Sequence, residues 1–305
     1  MTTALTAATT PAGRTTRGPS GLVWAVLRVH RTALVFWGLV LAAMTACLIW
    51  MYAIGDEARR GMGGCVEPVA AGGLPSCSSI DVAATDTYSF FIGLLATSLS
   101  FVIFPVAAWA GGALVGHELE SGTARLAWTQ SVTPARWLAA KLAVPAVLLA
   151  AGTCGVALLN LWARQDGGPG PGGNWYYSDV FIVTGPTVVA YPLAGLALGA
   201  LTGLLLRRAL PAAGVGFAAA LVLYKVLERY RADLWPTVTR AEAGGFELPR
   251  SAWQLSWDGP TRATRAIYHP QSHFWPLQYV ETGILLTVAA AATLAAFALL
   301  RRRTP

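Results

Sequence analysis

The sequence predicts an all-α integral membrane protein with six transmembrane helices. The first observation is composition, because 55% of the 305 residues are hydrophobic and only 12% are charged, whereas ordinary soluble domains are about 25% charged. The second is a set of long uncharged runs, such as the thirty residues between Asp86 and His117. Roughly 20 apolar residues cross a hydrocarbon core about 30 Å thick, and charges are costly there. Each long uncharged run therefore predicts one span.

The six predicted spans form a single transmembrane domain over residues 21–305. They cover residues 32–55, 87–116, 142–163, 180–206, 209–228 and 280–300. The uncharged part of the fifth span is short and is expected to extend through Lys225 to Glu228, since their i,i+3 spacing places both side chains on one helical face. That pair is either a snorkelling helix end or a contact in a translocation pathway.

The segment before the first span divides into two parts. Residues 1–20 are rich in Thr, Ala, Gly and Pro. This composition predicts a disordered cytoplasmic tail. A secretory signal is not expected here, because it needs an early apolar run that ends at a small-residue cleavage site. Residues 21–31 combine apolar positions with Arg28, His30 and Arg31. This pattern indicates either a helix lying along the inner leaflet or the beginning of the first span.

The positions of arginine and lysine predict that both termini are cytoplasmic, because basic residues near span ends stay on the cytoplasmic side. With this orientation the internal segments hold twelve basic residues and only two acids, Glu118 and Glu120. A long extracellular loop then lies between the fifth and sixth spans. The net charge of +7 does not indicate nucleic-acid binding, since the basic residues are dispersed at the ends of apolar runs.

Two cysteines, Cys65 and Cys77, fall in the first external loop, which is rich in Gly and Pro. An extracytoplasmic location and this separation are compatible with a disulfide. The alternative is two free thiols, because bridge geometry cannot be deduced from spacing.

Small residues recur at helical spacing in the second and fourth predicted spans. The glycines concerned are Gly112 and Gly116 in the second span and Gly195, Gly199 and Gly203 in the fourth. Such stripes let helix backbones approach closely in a membrane, either within the bundle or at a subunit interface. Prolines within the spans, at Pro105, Pro145, Pro186 and Pro192, each remove a backbone hydrogen bond and favour kinks.

The loop between the second and third spans holds both internal acids. Ser121 and Gly122 are expected to end the helix that continues from the second span, and Thr123 to cap a short helix through Trp128. Pro134 is expected at the first position of the next helix. The sequence thus predicts a helix, a short crossing helix and a further helix.

Leu126 and Trp128 give this short helix an apolar face that is expected to be exposed. Exposed apolar surface rimmed by charge usually marks a docking site. For Glu118 and Glu120 the alternative is a solvated helix end without a binding role.

This loop resembles that of the membrane subunits of type-2 ATP-binding cassette (ABC) transporters, the export-type permeases. The residues that match are Glu118, Glu120, Gly122, Thr123 and Leu126, followed by Arg136 and Lys141. Residues 125–133 and 136–142 look like a branch of permeases common in actinobacteria. The plan of six spans with both ends inside is also similar. The chain departs from the family pattern at Trp128 to Gln130, where many members have Leu-Pro.

The resemblance implies that residues 118–128 form a coupling helix that contacts a groove of a cytoplasmic ATPase subunit. It implies ATPase-coupling roles for Glu118, Glu120, Gly122, Thr123, Leu126, Trp128 and Arg136. It further implies a second permease subunit, a homodimer as the expected form, and export of an amphipathic small molecule or lipid across a bacterial cell membrane.

The chain has no ATPase motif of its own, because a P-loop needs Gly-Lys followed by Ser or Thr. Its two lysines, Lys141 and Lys225, precede Leu142 and Val226. ATP and magnesium are therefore expected on the partner ATPase, and no cofactor or metal on this chain, which is expected not to be an enzyme.

Two other functions remain open at this point. His269 and His273 are four residues apart and could share a metal in a membrane-embedded hydrolase or transferase, although no third ligand follows at suitable spacing. The chain could also dock a cytosolic partner for signalling without moving a substrate. No Gly-x-Ser-x-Gly nucleophile motif is present.

Overall fold

The computed structural model describes residues 21–61, 82–130, 132–164, 173–243, 246–258 and 264–303, and these residues are mostly helical. In chain order the helices are α1 (Leu22–Val29), α2 (Arg31–Gly61), α3 (Val82–Ser100), α4 (Ile103–Trp109), α5 (His117–Glu120), α6 (Thr123–Thr129), α7 (Pro134–Arg164), α8 (Ser178–Val183), α9 (Thr187–Leu206), α10 (Ala209–Tyr230) and α11 (Phe274–Arg303). A π-helix, Ala110–Gly116, joins α4 to α5, and 3₁₀ turns lie at Arg231–Leu234 and Gln271–His273.

Six helical segments within the described ranges are long and apolar enough to cross a membrane. They are Arg31–Arg60, Ala83–Glu120, Pro134–Arg164, Thr187–Leu206, Ala209–Leu234 and Gln271–Arg303. The prediction of a mostly helical protein with six such helices is confirmed. Residues 22–29 form a separate helix, α1, and His30 separates it from α2.

The fourth predicted span is interrupted near its start. Val180 lies in the short helix α8, which ends at Val183, and α9 begins only at Thr187. Pro186 occupies the position before α9. Because proline lacks a backbone N–H, a position at the start of a helix costs it no hydrogen bond, whereas Pro145 and Pro192 lie inside α7 and α9. The remaining twenty residues of α9 are about 30 Å long, enough for one crossing.

A three-stranded antiparallel sheet corrects the all-α prediction. Its strands, β1 (Val238–Glu242), β2 (Trp253–Asp258) and β3 (Thr264–His269), all lie between α10 and α11, and β3 is central. Val238 pairs with Tyr268, and Trp253 with His269. Strands β1 and β2 are short and mostly exposed, so their hydrophobic alternation is weak, and pairing to the more buried β3 defines them.

Helix α9 lies at the centre of the bundle, and its glycines pack against the second span. A Cβ atom added to Gly195 would lie 2.6 Å from the Ile103 carbonyl oxygen, and one added to Gly203 would lie 2.8 Å from Val115 Cβ. At Gly199 the added atom would overlap the Ala107 carbonyl oxygen. The interpretation of the stripe as packing within the bundle is confirmed for these positions.

The π-helix brings the second span against the start of α10. A Cβ atom added to Gly112 would lie 3.1 Å from the Ala209 carbonyl oxygen, and one added to Gly116 would lie 3.2 Å from the Arg208 carbonyl oxygen. The π-helix is therefore closely surrounded on the side of α10. Such wide turns inside α-helices frequently occur at functional sites.

Candidate coupling site at the basic end of the bundle

The predicted coupling residues lie where four parts of the chain meet at one end of the bundle. We call this the basic end; its cationic residues are Arg125, Arg136, Arg207, Arg208, Arg301, Arg302 and Arg303. A cavity of about 100 Å³ there is lined by residues from α6, the α9–α10 turn and the last turn of α11. Arg303 Nη1 donates to the Leu204 carbonyl oxygen at 2.7 Å, which satisfies one carbonyl near the end of α9.

The short helix α6 forms between Gly122 and Thr129. Gly122 adopts the left-handed conformation with φ of 76°, where a residue with a side chain would be strained. It occupies the N-cap position that was predicted for Thr123, which is the first helical residue instead. The Thr123 hydroxyl donates to the Glu118 carbonyl oxygen at 3.3 Å and lies 3.0 Å from the Ser121 hydroxyl. The backbone break at Gly122 therefore sets the direction of α6.

The outer face of α6 is less apolar than the sequence predicts. Leu126 is exposed over 61% of its surface. Trp128, however, is half-buried and packs edge-to-face on Trp137 of α7, with 5.7 Å between ring centroids. The expected exposure of Trp128 is thus wrong, because α7 covers the indole. Leu126 remains available for contact with another protein.

The next helix begins as predicted. Pro134 is the first residue of α7, and the Thr133 hydroxyl accepts a hydrogen bond from the Arg136 backbone N–H at 3.4 Å. The Arg136 side chain is exposed. It therefore lies on the surface of the basic end together with Arg125 and Leu126.

Glu118 belongs to a buried polar cluster, which contradicts its interpretation as a solvated helix end. Its Oε1 accepts from Lys141 Nζ at 2.5 Å, and its Oε2 accepts from Trp137 Nε1 at 3.1 Å. The Lys141 side chain is only 5% exposed and the Glu118 side chain 17%. Lys141 Nζ also lies 3.4 Å from His30 Nε2. These contacts join α5 to the start of α7 and to the end of α1.

His30 is a neutral acceptor in this cluster. Burial first, and then the Lys141 ammonium, lower the pKa of His30 to about 4. Because an ammonium group has only donors, His30 Nε2 accepts and the imidazole proton resides on Nδ1. The contact of His30 with Lys141 was not predicted from the sequence, because the two residues are 111 positions apart. The available signal was a histidine directly before the first span.

Glu120 contacts a different helix. Its Oε2 accepts a hydrogen bond from the Ala209 backbone N–H at 2.8 Å, at the first residue of α10. A carboxylate at a helix N-terminus satisfies a free donor and interacts favourably with the helix dipole. Glu118 and Glu120 thus connect the short α5 segment to α7 and α10, and Lys141 extends the Glu118 contact to His30 at the end of α1. A displacement of α5 or α6 would act directly on α7 and α10.

A second buried polar cluster lies at the opposite end, which we call the sheet end because β1, β2 and β3 are there. Arg231 donates from Nε and Nη2 to both carboxylate oxygens of Glu281 at 2.7 and 3.0 Å. The Tyr191 hydroxyl donates to Glu281 Oε1 at 2.7 Å. The Arg231 and Glu281 side chains are 2% and 0% exposed. This cluster joins α9, α10 and α11, and sequence reasoning missed it.

The two histidines considered for catalysis are also at the sheet end. His269 Nδ1 and His273 Nδ1 lie 2.9 Å apart, and His269 Nε2 donates to the Ala232 carbonyl oxygen at 2.9 Å. His269 is fully buried and anchors β3 to the 3₁₀ turn beside Arg231. Among the described residues, no group of three or more His, Cys, Asp or Glu side chains is placed to hold a metal ion.

The remaining predicted residues give less information. Cys65 and Cys77 lie outside the described residues, so their pairing stays a prediction. Lys225 and Glu228 form the expected contact at 2.7 Å, and the lysine side chain is 63% exposed. That exposure places the pair on the outer surface of α10.

Most of the chain matches the model of a known protein family. A family model described as ABC-2 membrane transporter related matches residues 37–231, from within α2 to the first residue after α10. Neither the curated proteins nor the solved structures include a significant match. The matched region covers more than half of the chain and includes both acids of the basic end. The chain therefore belongs to the ABC-2 membrane transporter related family and is a multi-pass membrane protein.

Proposed function

We propose that the chain is the permease subunit of an ABC exporter and that a separate cytoplasmic ATPase subunit drives it. Membership of the ABC-2 family implies an ATPase partner in general. The observation that supports coupling most directly is the pair of contacts from Glu118 to α7 and from Glu120 to α10. The absence of a P-loop around Lys141 and Lys225 agrees with ATP and magnesium binding to the partner.

In this proposal the ATPase contacts α6 through Leu126 and the surrounding arginines. When the ATPase subunits close, they push on α6 and α5. The Glu118 contacts then pull on α7, and the Glu120 contact pulls on α10. Rigid-body tilting of packed helices is a common way to open one side of a pathway and close the other. The exported substrate is proposed to be an amphipathic small molecule or lipid.

The proposed assembly has two copies of this chain and two ATPase chains in a bacterial cell membrane. Both termini and the basic end are proposed to face the cytoplasm, and the sheet end to face outward. The concentration of arginines at the basic end supports this orientation. For the enzyme alternative, the ring nitrogens of His269 engage His273 and the Ala232 carbonyl oxygen, and no observation favours catalysis there.

Single-cysteine labelling tests the orientation. In a chain with its native cysteines replaced by serine, Leu126→Cys is expected to react with a membrane-impermeant maleimide only after the cells are opened. Glu242→Cys, which lies on exposed β1, is the matched position at the sheet end and is expected to react in intact cells. Reaction of Leu126→Cys in intact cells would show that α6 does not meet a cytoplasmic ATPase.

Co-purification of the chain with its co-expressed ATPase tests the docking surface. Leu126→Asp places a charge on the exposed contact residue and is expected to reduce the recovered ATPase about tenfold, since a lost hot-spot contact costs 1.4 kcal/mol or more. Thr239→Asp, at an exposed position of β1 at the sheet end, is the matched control. Full recovery with Leu126→Asp, or no ATPase with the unaltered chain, would contradict the proposal.

A double variant separates docking, measured by recovery of the ATPase, from coupling, measured by ATP hydrolysis. Glu118→Leu with Lys141→Met removes the ion pair without leaving a buried charge, a change that folded proteins often tolerate. This variant is expected to retain the ATPase but to lose the dependence of ATP hydrolysis on substrate. If that dependence is kept, the Glu118 contacts do not transmit the movement.

A further inference from the structure

A cavity of about 500 Å³ lies between α1, α2, α3, α4 and α7. This volume falls within the range of small-ligand pockets, about 300–1,000 Å³. Side chains such as Phe36, Val106 and Leu148 make its lining almost entirely apolar, with His30 and Ser98 among the few polar groups. In a membrane-spanning bundle, a cavity of this kind favours hydrocarbon over water.

The two ends of the cavity differ in polarity. At one end, His30 Nε2 lies 3.4 Å from the Lys141 ammonium, which is paired with Glu118. At the other end, the Ser98 hydroxyl donates to the Leu94 carbonyl oxygen of its own helix at 2.7 Å and needs no further partner. The cavity thus has one polar end, and at its other end the Ser98 hydroxyl is already hydrogen-bonded.

The long axis of the cavity follows α2. The lining includes Ala33, near the start of α2, and Met44, eleven residues further along. At 1.5 Å per residue these positions are about 17 Å apart, or roughly half the thickness of a hydrocarbon core. In the proposed orientation, the cavity therefore spans the inner leaflet, with its polar end at the headgroup level.

We propose that this cavity binds the hydrocarbon chain of an amphipathic substrate from the inner leaflet, with the polar head beside His30. The inference rests on the proposed function and names the place where that substrate first binds. His30 belongs both to the cavity lining and to the Lys141–Glu118 cluster. A head group that displaces His30 would disturb its Lys141 neighbour and, through Lys141, the Glu118 contact of α5. Binding in the cavity would in this way alter the Lys141–Glu118 contact at the coupling site.

Photolabelling of the full chain in phosphatidylcholine nanodiscs tests the inference. The probe is a lysophosphatidylglycerol that carries a diazirine near the end of its acyl chain, and mass spectrometry locates the label. Label is expected on cavity residues, Met44 and Ser98 among them. Val144→Phe fills the cavity from α7 and is expected to reduce this labelling about tenfold, because the added ring occupies space that the acyl chain needs.

Val147→Phe is the matched control, because Val147 lies on the same helix but is 67% exposed on the outer surface. Leu148→Ala enlarges the cavity and is expected to keep the label, which separates a filled cavity from a misfolded chain. Equal labelling of Val144→Phe and Val147→Phe, or label spread over outward positions such as Phe90, would overturn the inference. Because no ATPase is present, that result would leave the co-purification test of the proposed function unaffected.

Discussion

Glu281→Ala is expected to destabilise the folded chain by about 3–5 kcal/mol, the usual cost of removing one partner of a buried ion pair. The substitution leaves the Arg231 guanidinium uncompensated where the side chain is 2% exposed. It also removes the acceptor of the Tyr191 hydroxyl. We therefore expect a strong fall in the midpoint of thermal unfolding in detergent, followed by tryptophan fluorescence.

Two further variants serve as controls for the Glu281→Ala measurement. Glu242→Ala breaks an exposed pair with Arg240 on β1, and exposed pairs contribute only about 0–1 kcal/mol. Replacing both Arg231 with Met and Glu281 with Leu is expected to restore much of the stability, since no buried charge is left unpaired. If Glu281→Ala unfolds at the same temperature as Glu242→Ala, the pair does not hold the sheet end together.

Gly199→Val is expected to prevent normal packing of the bundle. Even a Cβ atom at this position overlaps the Ala107 carbonyl oxygen and comes within 2.9 Å of the Gly111 backbone nitrogen. Because backbone atoms cannot rotate away as side chains do, α9 must separate from the second span. The cost is expected to reach about 3 kcal/mol, the upper end for overpacked sites. Size-exclusion chromatography and protease resistance of the purified chain measure the effect.

Gly155→Val provides the matched comparison. Gly155 lies in α7, and an added Cβ atom there meets nothing within 4 Å. The same glycine-to-valine change is therefore expected to leave the elution profile and the protease pattern nearly unchanged. Equal behaviour of the two variants would show that the α9 glycines are not needed for close approach.

The number of spans and the close packing of α9 could be predicted because they depend on local patterns. Uncharged runs give the spans directly, and glycines four residues apart necessarily share one helical face. The break at Gly122 and the start of α7 at Pro134 were also predictable, since each residue type has a strong conformational preference.

The polar clusters could not be predicted, because their members are far apart in the sequence. Arg231 and Glu281 border the long loop and meet only after α10 and α11 pack side by side. Glu118 and Lys141 meet because α5 and α7 fold back on each other. The sheet was missed for a related reason, since β1 and β2 depend on pairing with β3.

The π-helix in the second span has a mechanical consequence for both acids. A π-turn holds more residues than an α-turn, so rewinding one wide turn to the α form would rotate the following chain by about 100° and advance it by about 1.5 Å. Glu118 and Glu120 come directly after this segment. Such a rotation would detach Glu118 from Lys141 and Glu120 from Ala209 together. Rewinding the π-helix would therefore release the contacts of α5 with α7 and α10 at the same time.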